Sequence, residues 1–152
     1  MTNFTEFHAG LTEIFTMAIP LNRFVGLEVK SLNIDNPQLG FQMKPELVGN
    51  FIRGILHGGV ISSVIDITGG LTVLLGIQKW HTEAPAQSVL QHFNRISTID
   101  LRVDFLRPGL GQTFVSTGFL LRTGRKVAVS RVELRCDQDK LIAAGTCVYS
   151  VS

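Results

Sequence analysis

The segment LHGGVISSVIDITGGLTVLLGI (Leu56–Ile77) decides how this chain folds. Between Gly59 and Gly76 nearly every residue is apolar or small, and Asp66 is the only charged one. A run that is apolar on all sides reads as a helix buried in a core. An ionised carboxylate there is costly unless it is paired or used. The doubled glycine Gly58-Gly59 marks the expected helix start, where the first N–H groups have no partner within the helix. Glycine lacks the Cβ that would keep an incoming oxygen away. The stretch is about as long as a membrane span. It nevertheless carries five glycines, four Ser/Thr and Asp66 between Gly58 and Ile77, with amphipathic segments around it. It is therefore read as the central helix of a soluble domain, about residues 58–77, with no membrane partner.

The rest of the chain supplies what such a helix needs. With 152 residues, 45% hydrophobic and 17% charged, one domain spanning 1–152 with a sizeable core is expected. The net charge of +2 is too weak to argue for a nucleic-acid partner. Cys136 and Cys147 are read as reduced, small hydrophobic residues. The N-terminus carries Glu6 and Glu13 and shows no basic stretch followed by an apolar core, so the expected location is cytoplasmic.

Phe4, Phe7, Leu11, Ile14, Phe15 and Ala18 recur at helical steps and predict an N-terminal helix over about 3–18. Asn3 and Glu6 fit a capping pair, and Pro20 is expected to end the helix. Leu27–Asp35 and Leu39–Lys44 read as a hairpin turning at Asn36-Pro37, with Pro45–Gly54 a loop. Residues 78–97, including Trp80, His81, Pro85, His92 and Asn94, read as a loop with a possible short helical turn. From Thr98 the chain alternates, with Ile99, Leu101, Val103 and Phe105 on one face and Asp100, Arg102 and Asp104 on the other. Gln112–Arg122, Lys126–Cys136 and Lys140–Ser150 follow after short turns, so a four-stranded meander is predicted over about 98–150. A sheet with one apolar face needs cover, and only the central helix can supply it. The fold class is α+β: a curved antiparallel sheet wrapped around a long helix, with an N-terminal helix added.

Spacing then constrains the chemistry. Unpaired N–H groups and the helix dipole at Gly58-Gly59 suit a carbonyl oxygen that becomes an oxyanion, although a plain loop-to-helix entry uses the same residues. Asp66 lies seven residues past Gly59, roughly 10 Å along the axis. It is too far to act on a carbonyl held at its own helix start. Two antiparallel copies of the helix would bring each Asp66 to the partner's Gly58-Gly59, which predicts a two-fold homodimer with shared sites. His57 either orients a substrate or caps the helix. His8, His81 and His92 show no metal-ligand spacing, so no metal is assigned. Ser62, Ser63 and Thr68 read as packing groups.

LHGGVISSVIDITGG (Leu56–Gly70) resembles the H-G-G-x6-D-x2-G signature of hotdog-fold acyl-CoA thioesterases of the phenylacetyl-CoA thioesterase (PaaI-like) type. TIDLRVDFLRPG (Thr98–Gly109) resembles that family's strand after the central helix. The resemblance runs from about residue 25 to 150 and implies a hotdog fold and hydrolysis of an acyl-CoA to acid and free CoA, without a cofactor. Asp66 then matches the catalytic carboxylate, as nucleophile or general base. Gly58 and Gly59 match the N–H donors to the thioester carbonyl, and His57 the histidine before them. Asn50 lies near an assisting Asn of some members, with one more residue before His57. Thr98 falls where some members position a water. Arg107, Arg122, Arg125 and Lys126 lie at or near strand ends and could meet CoA phosphates. The resemblance also implies dimers, pairing into tetramers in many members. A hydratase or dehydratase of the same fold, and a non-catalytic acyl-CoA binding module, are the competing readings. The acid seven residues after H-G-G disfavours the first, and the lack of a DNA-binding segment the second.

Overall fold

The computed structural model describes residues 2–80 and 91–152. Helix α1 (Thr2–Glu13) buries Phe7 and Leu11 and runs into a π-helical turn, Ile14–Ala18. There the Ile19 N–H donates to the carbonyl of Ile14, five residues back. The wider turn moves Phe15 inward, and the buried Asn22 side chain donates to its carbonyl at 2.9 Å. Pro20 ends this helix as expected but also starts another, α2 (Pro20–Val25). A proline at the first helical position loses no hydrogen bond there. Gly26, at φ 80°, closes α2. The Asn3–Glu6 cap lies outside the described side chains, and His81 and Pro85 lie outside the described residues.

The expected hairpin is present but shorter, as β1 (Glu28–Ser31) and β2 (Gln38–Gln42). The first strand stops early because Ser31 and Asn33 accept from the N–H groups of Asn33 and Asp35, turning the chain. The Pro45–Gly54 loop is more ordered than expected. It holds a 3-10 turn at Pro45–Leu47 and β3 (Val48–Asn50), which pairs with β4 (Ile55–Leu56). Then comes α3 (Gly58–Trp80), three residues longer than the apolar run alone suggests. By length and hydropathy α3 could cross a membrane, but 67% of that stretch is buried inside the protein.

Strands β5 (Ser97–Phe105), β6 (Thr113–Thr123), β7 (Val127–Cys136) and β8 (Leu141–Ser150) match their expected bounds closely. Their order does not. The six-stranded antiparallel sheet runs β1-β2-β6-β7-β8-β5. Only β6, β7 and β8 form a meander, while β5 crosses to the far edge and pairs with β8. The crossing segment is fastened along the way: Leu106 and Arg107 N–H groups donate to Ile142, and the Gly109 carbonyl accepts from Leu56.

Helix α3 lies close on the inner face of the sheet because the contact is made of small residues. A Cβ on Gly69 would stand 2.4 Å from the Tyr149 hydroxyl, and one on Gly118 only 1.8 Å from Thr72 Oγ1. Around this contact Leu71, Leu74, Leu134 and Ile142 are fully buried. The hydroxyls of Ser62, Ser63, Thr68 and Thr72 donate to carbonyls one turn back, which satisfies them where the helix is buried.

Candidate active site

Asp66 is half-buried on the sheet-facing side of α3. Its Oδ1 accepts from Thr98 Oγ1 at 2.9 Å and lies 3.1 Å from the Tyr149 hydroxyl. The same hydroxyl donates to the Asp66 main-chain carbonyl at 2.6 Å. A β-bulge delivers Thr98. In β5, Thr98 pairs with Tyr149 and Asp100 with Val148, so Ile99 has no partner on β8. Simple alternation puts Ile99 on the inner face and Thr98 on the outer. The bulge ejects Ile99, which is 57% exposed, and swings Thr98 inward opposite Tyr149. Bulges commonly re-aim one side chain in this way.

Beside Asp66 opens a cavity of about 220 Å³, walled by Phe15, Ile19, Ile67, Phe93 and Ile96. Phe15 meets Phe93 edge-on, with ring centres 6.0 Å apart. The site thus combines one carboxylate, two hydroxyls and an apolar chamber. Burial, followed by the neighbouring Cys147 and Asp66, pushes the Tyr149 phenol well above its ordinary range. Burial also lifts the Cys147 thiol to about 11, consistent with a packing cysteine rather than a reactive one.

The glycine pair occupies the other end of α3. Gly58 lines a separate cavity of about 370 Å³ with Phe105, Leu106, Arg107 and Pro108. Eight residues separate Gly58 from Asp66, roughly 12 Å of helix. The two glycines are not equivalent. The Gly59 N–H donates to His57 Nδ1 at 2.7 Å, so in this arrangement it is not an open donor, and His57 caps the helix. The Gly58 N–H meets no acceptor among the described residues. Gly49 keeps His57 in place: a Cβ there would stand 2.7 Å from the His57 Cα.

The remaining candidates lie apart from Asp66. Asn50 Oδ1 accepts from the N–H groups of Ile52 and Arg53, shaping the β3–β4 turn. Arg107 stands at the Gly58 end, its guanidinium donating to the Leu141 carbonyl. Arg122, Arg125 and Lys126 are exposed around the β6–β7 turn. That turn lies at the Thr98 end, since Val127 pairs with Ser150 and Ser150 with Ser97. Among the described residues no group of three or more His, Cys, Asp or Glu gathers as a metal site. Sequence reasoning missed Tyr149 altogether. Its one signal is that a lone tyrosine at an inward strand position needs a partner for its hydroxyl.

The family model of the thioesterase superfamily matches residues 53–143, the span that holds His57, Gly58, Asp66 and Thr98. The chain belongs to the thioesterase superfamily. Among curated members, "Medium/long-chain acyl-CoA thioesterase YigI" of Escherichia coli K12 is 42% identical over 139 residues, covering 91% of this chain and 90% of the relative. Its Salmonella typhimurium counterpart is 43% identical over the same shares. A crystal structure from Shewanella oneidensis, related to the same superfamily, superposes with a TM-score of 0.91 at 40% identity, over 97% of both chains. The sheet around a long central helix in this superfamily member is the hotdog fold expected from the H-G-G-x6-D-x2-G resemblance.

Proposed function

We propose that this superfamily member is an acyl-CoA thioesterase acting on medium- to long-chain substrates, in sites built from two copies of the chain. Asp66 carries the reading: a carboxylate with one oxygen held by two hydroxyls, at the wall of an apolar cavity. Water adds to the thioester carbonyl carbon, the C–S bond breaks, and the proton given up by water ends on the CoA thiol. Asp66 drives that attack, and Thr98 holds its Oδ1. The open Gly58 N–H, at the positive end of α3, receives the carbonyl oxygen. The names of the curated relatives support the substrate class, as does the cavity walled by Phe15, Ile19 and Ile67. Arg122, Arg125 and Lys126, clustered at the Thr98 end, suit the phosphates of CoA.

The direction of the elements supports a shared site. Helix α3 runs from Gly58, near Phe105, to Asp66, near Thr98, opposite to β5. Among the described residues the outer side of β5 has no strand beside it. Pairing with a second β5 about a two-fold axis near mid-strand sets the Thr98 end of one copy against the Phe105 end of the other. The Asp66 cavity then joins the Gly58 cavity of the partner, and the open sheet edge is covered. Light scattering reads this directly: a monomer at assay concentration overturns the shared site, and the same trace reports whether dimers pair further. A cytoplasmic location accords with two unpaired, buried cysteines. Recovery in a membrane or exported fraction would contradict it.

The deciding experiment is thiol release over short, medium, long and aromatic acyl-CoAs, run beside Asp66→Ala. Release from medium and long chains, abolished in a folded Asp66→Ala protein, is the expected result. Full activity in that variant sinks the assignment of Asp66.

A further inference from the structure

We propose that Tyr149 is a positioning residue for Asp66, and that Gly69 exists to admit it. This inference rests on the reading of Asp66 as the reacting carboxylate. The Tyr149 ring is 2% exposed and rises from β8 directly opposite Thr98. Its hydroxyl and that of Thr98 reach the same carboxylate oxygen, at 3.1 and 2.9 Å. Among the described residues Oδ2 accepts nothing. The carboxylate is therefore held by one oxygen and presents the other. The terminal torsion of an aspartate is broad and two-fold, so an unheld carboxylate sweeps its oxygens through many orientations. Fixing one oxygen before the substrate arrives removes that cost from the reaction.

Tyr149 also binds the main chain of the residue it orients, through the 2.6 Å bond to the Asp66 carbonyl. Side chain and backbone of Asp66 are thus fastened by one phenol whose single proton lies between them. Because burial keeps this phenol protonated, it stays a donor through the working pH range and never becomes a second anion beside Asp66. Thr98, by contrast, bonds only the Asp66 side chain.

Gly69 makes the contact possible. A Cβ there would lie 2.4 Å from the phenol oxygen and 3.0 Å from both Cys147 Sγ and Ser130 Oγ. No real Cβ sits that close, and Cys147 and Ser130 crowd the phenol from beneath. Any side chain at 69 pushes the hydroxyl off Asp66. The D-x2-G spacing of the chain acquires a physical reason: three residues after Asp66 the helix has turned to present position 69 beside it, facing the phenol.

The test uses Tyr149→Phe, Gly69→Ala, the Gly69→Ala/Tyr149→Phe pair and Asp66→Ala, each read for kcat, KM and Tm with a medium-chain acyl-CoA. Tyr149→Phe is expected to lower kcat about tenfold with KM within about twofold. Gly69→Ala is expected to lower kcat at least as far and also to lower Tm. Adding Tyr149→Phe to Gly69→Ala removes the nearest atom the new methyl strikes and leaves the 3.0 Å contacts with Cys147 and Ser130. The pair should regain part of the lost Tm and match Tyr149→Phe in kcat. Wild-type kcat in Tyr149→Phe, with Asp66→Ala inactive, overturns this inference and leaves the site reading intact. A raised KM with kcat unchanged would assign Tyr149 to substrate binding and overturn it too. Activity in Asp66→Ala would instead overturn the reading beneath it.

Discussion

Gly58 and Gly59 differ in what their N–H groups do, although the chain writes them as a pair. Gly58 keeps its donor open, whereas Gly59 gives its own to His57. Proline is tolerated at the first helical position, so Gly58→Pro deletes the donor and keeps the helix. A fall in kcat of roughly 10²–10³-fold is expected, the size of one lost oxyanion donor. Mixing this variant with Asp66→Ala adds a stricter check. Random exchange makes half the dimers mixed, each with one intact site, so about a quarter of wild-type activity should return if sites are shared. No recovery after demonstrated exchange would place the whole site in one protomer. A second consequence at this scale concerns alkaline pH. Burial raises the Cys147 thiol from 9.0 to about 11 and raises Tyr149 as well. The folded state therefore holds these protons more tightly than the unfolded chain. That contribution is complete below pH 9 and is lost as pH climbs through 11. Tm should decline across that window, and Cys147→Ala should flatten the decline.

At the scale of elements, the contact between α3 and the sheet is set by glycines. Gly118 faces Thr72 so closely that a methyl would lie 1.8 Å from its hydroxyl. Gly118→Ala should cost about 1–3 kcal/mol by forcing helix and strand apart, read as a lower midpoint in urea. An unchanged midpoint would show that Thr72 rotates away freely. The apolar run of α3 and the succession of β6, β7 and β8 between short turns were legible in the sequence because each is a local pattern. Asp66 and Gly58 were legible too, one as a lone charge and the other as a helix-opening glycine. What escaped depends on distant partners. The placement of β5 beside β8 is set by the crossing segment and its bonds to Ile142. The inward swing of Thr98 needs a bulge that alternation hides. Tyr149 meets Asp66 across 83 positions. Helix α2 escaped for another reason: Pro20 signals the end of one helix and the start of the next equally well.

Across the whole molecule, the N-terminal segment joins the sheet and α3 in one cavity, because the π-helical turn carries Phe15 to the wall beside Asp66. Gly70 lines the same space, and among the described residues a Cβ there would meet only the Tyr149 ring, at 3.9 Å. Gly70→Leu should therefore fill the chamber without disturbing the fold. Long-chain kcat/KM should fall roughly tenfold against short-chain, about two methylenes' worth of burial at ~0.8 kcal/mol each. An unchanged chain-length profile would put the acyl chain elsewhere. The unpaired side of β5 bears on reaction order as well. With Thr98 near one end and the Gly58 cavity at the other, a lone protomer would, if sites are shared as proposed, own two unlike halves and no complete centre. Under the shared-site proposal, turnover at low protein concentration rises with the square of the amount present. Specific activity then reports how much of the protein there is, and dilution alone switches it off.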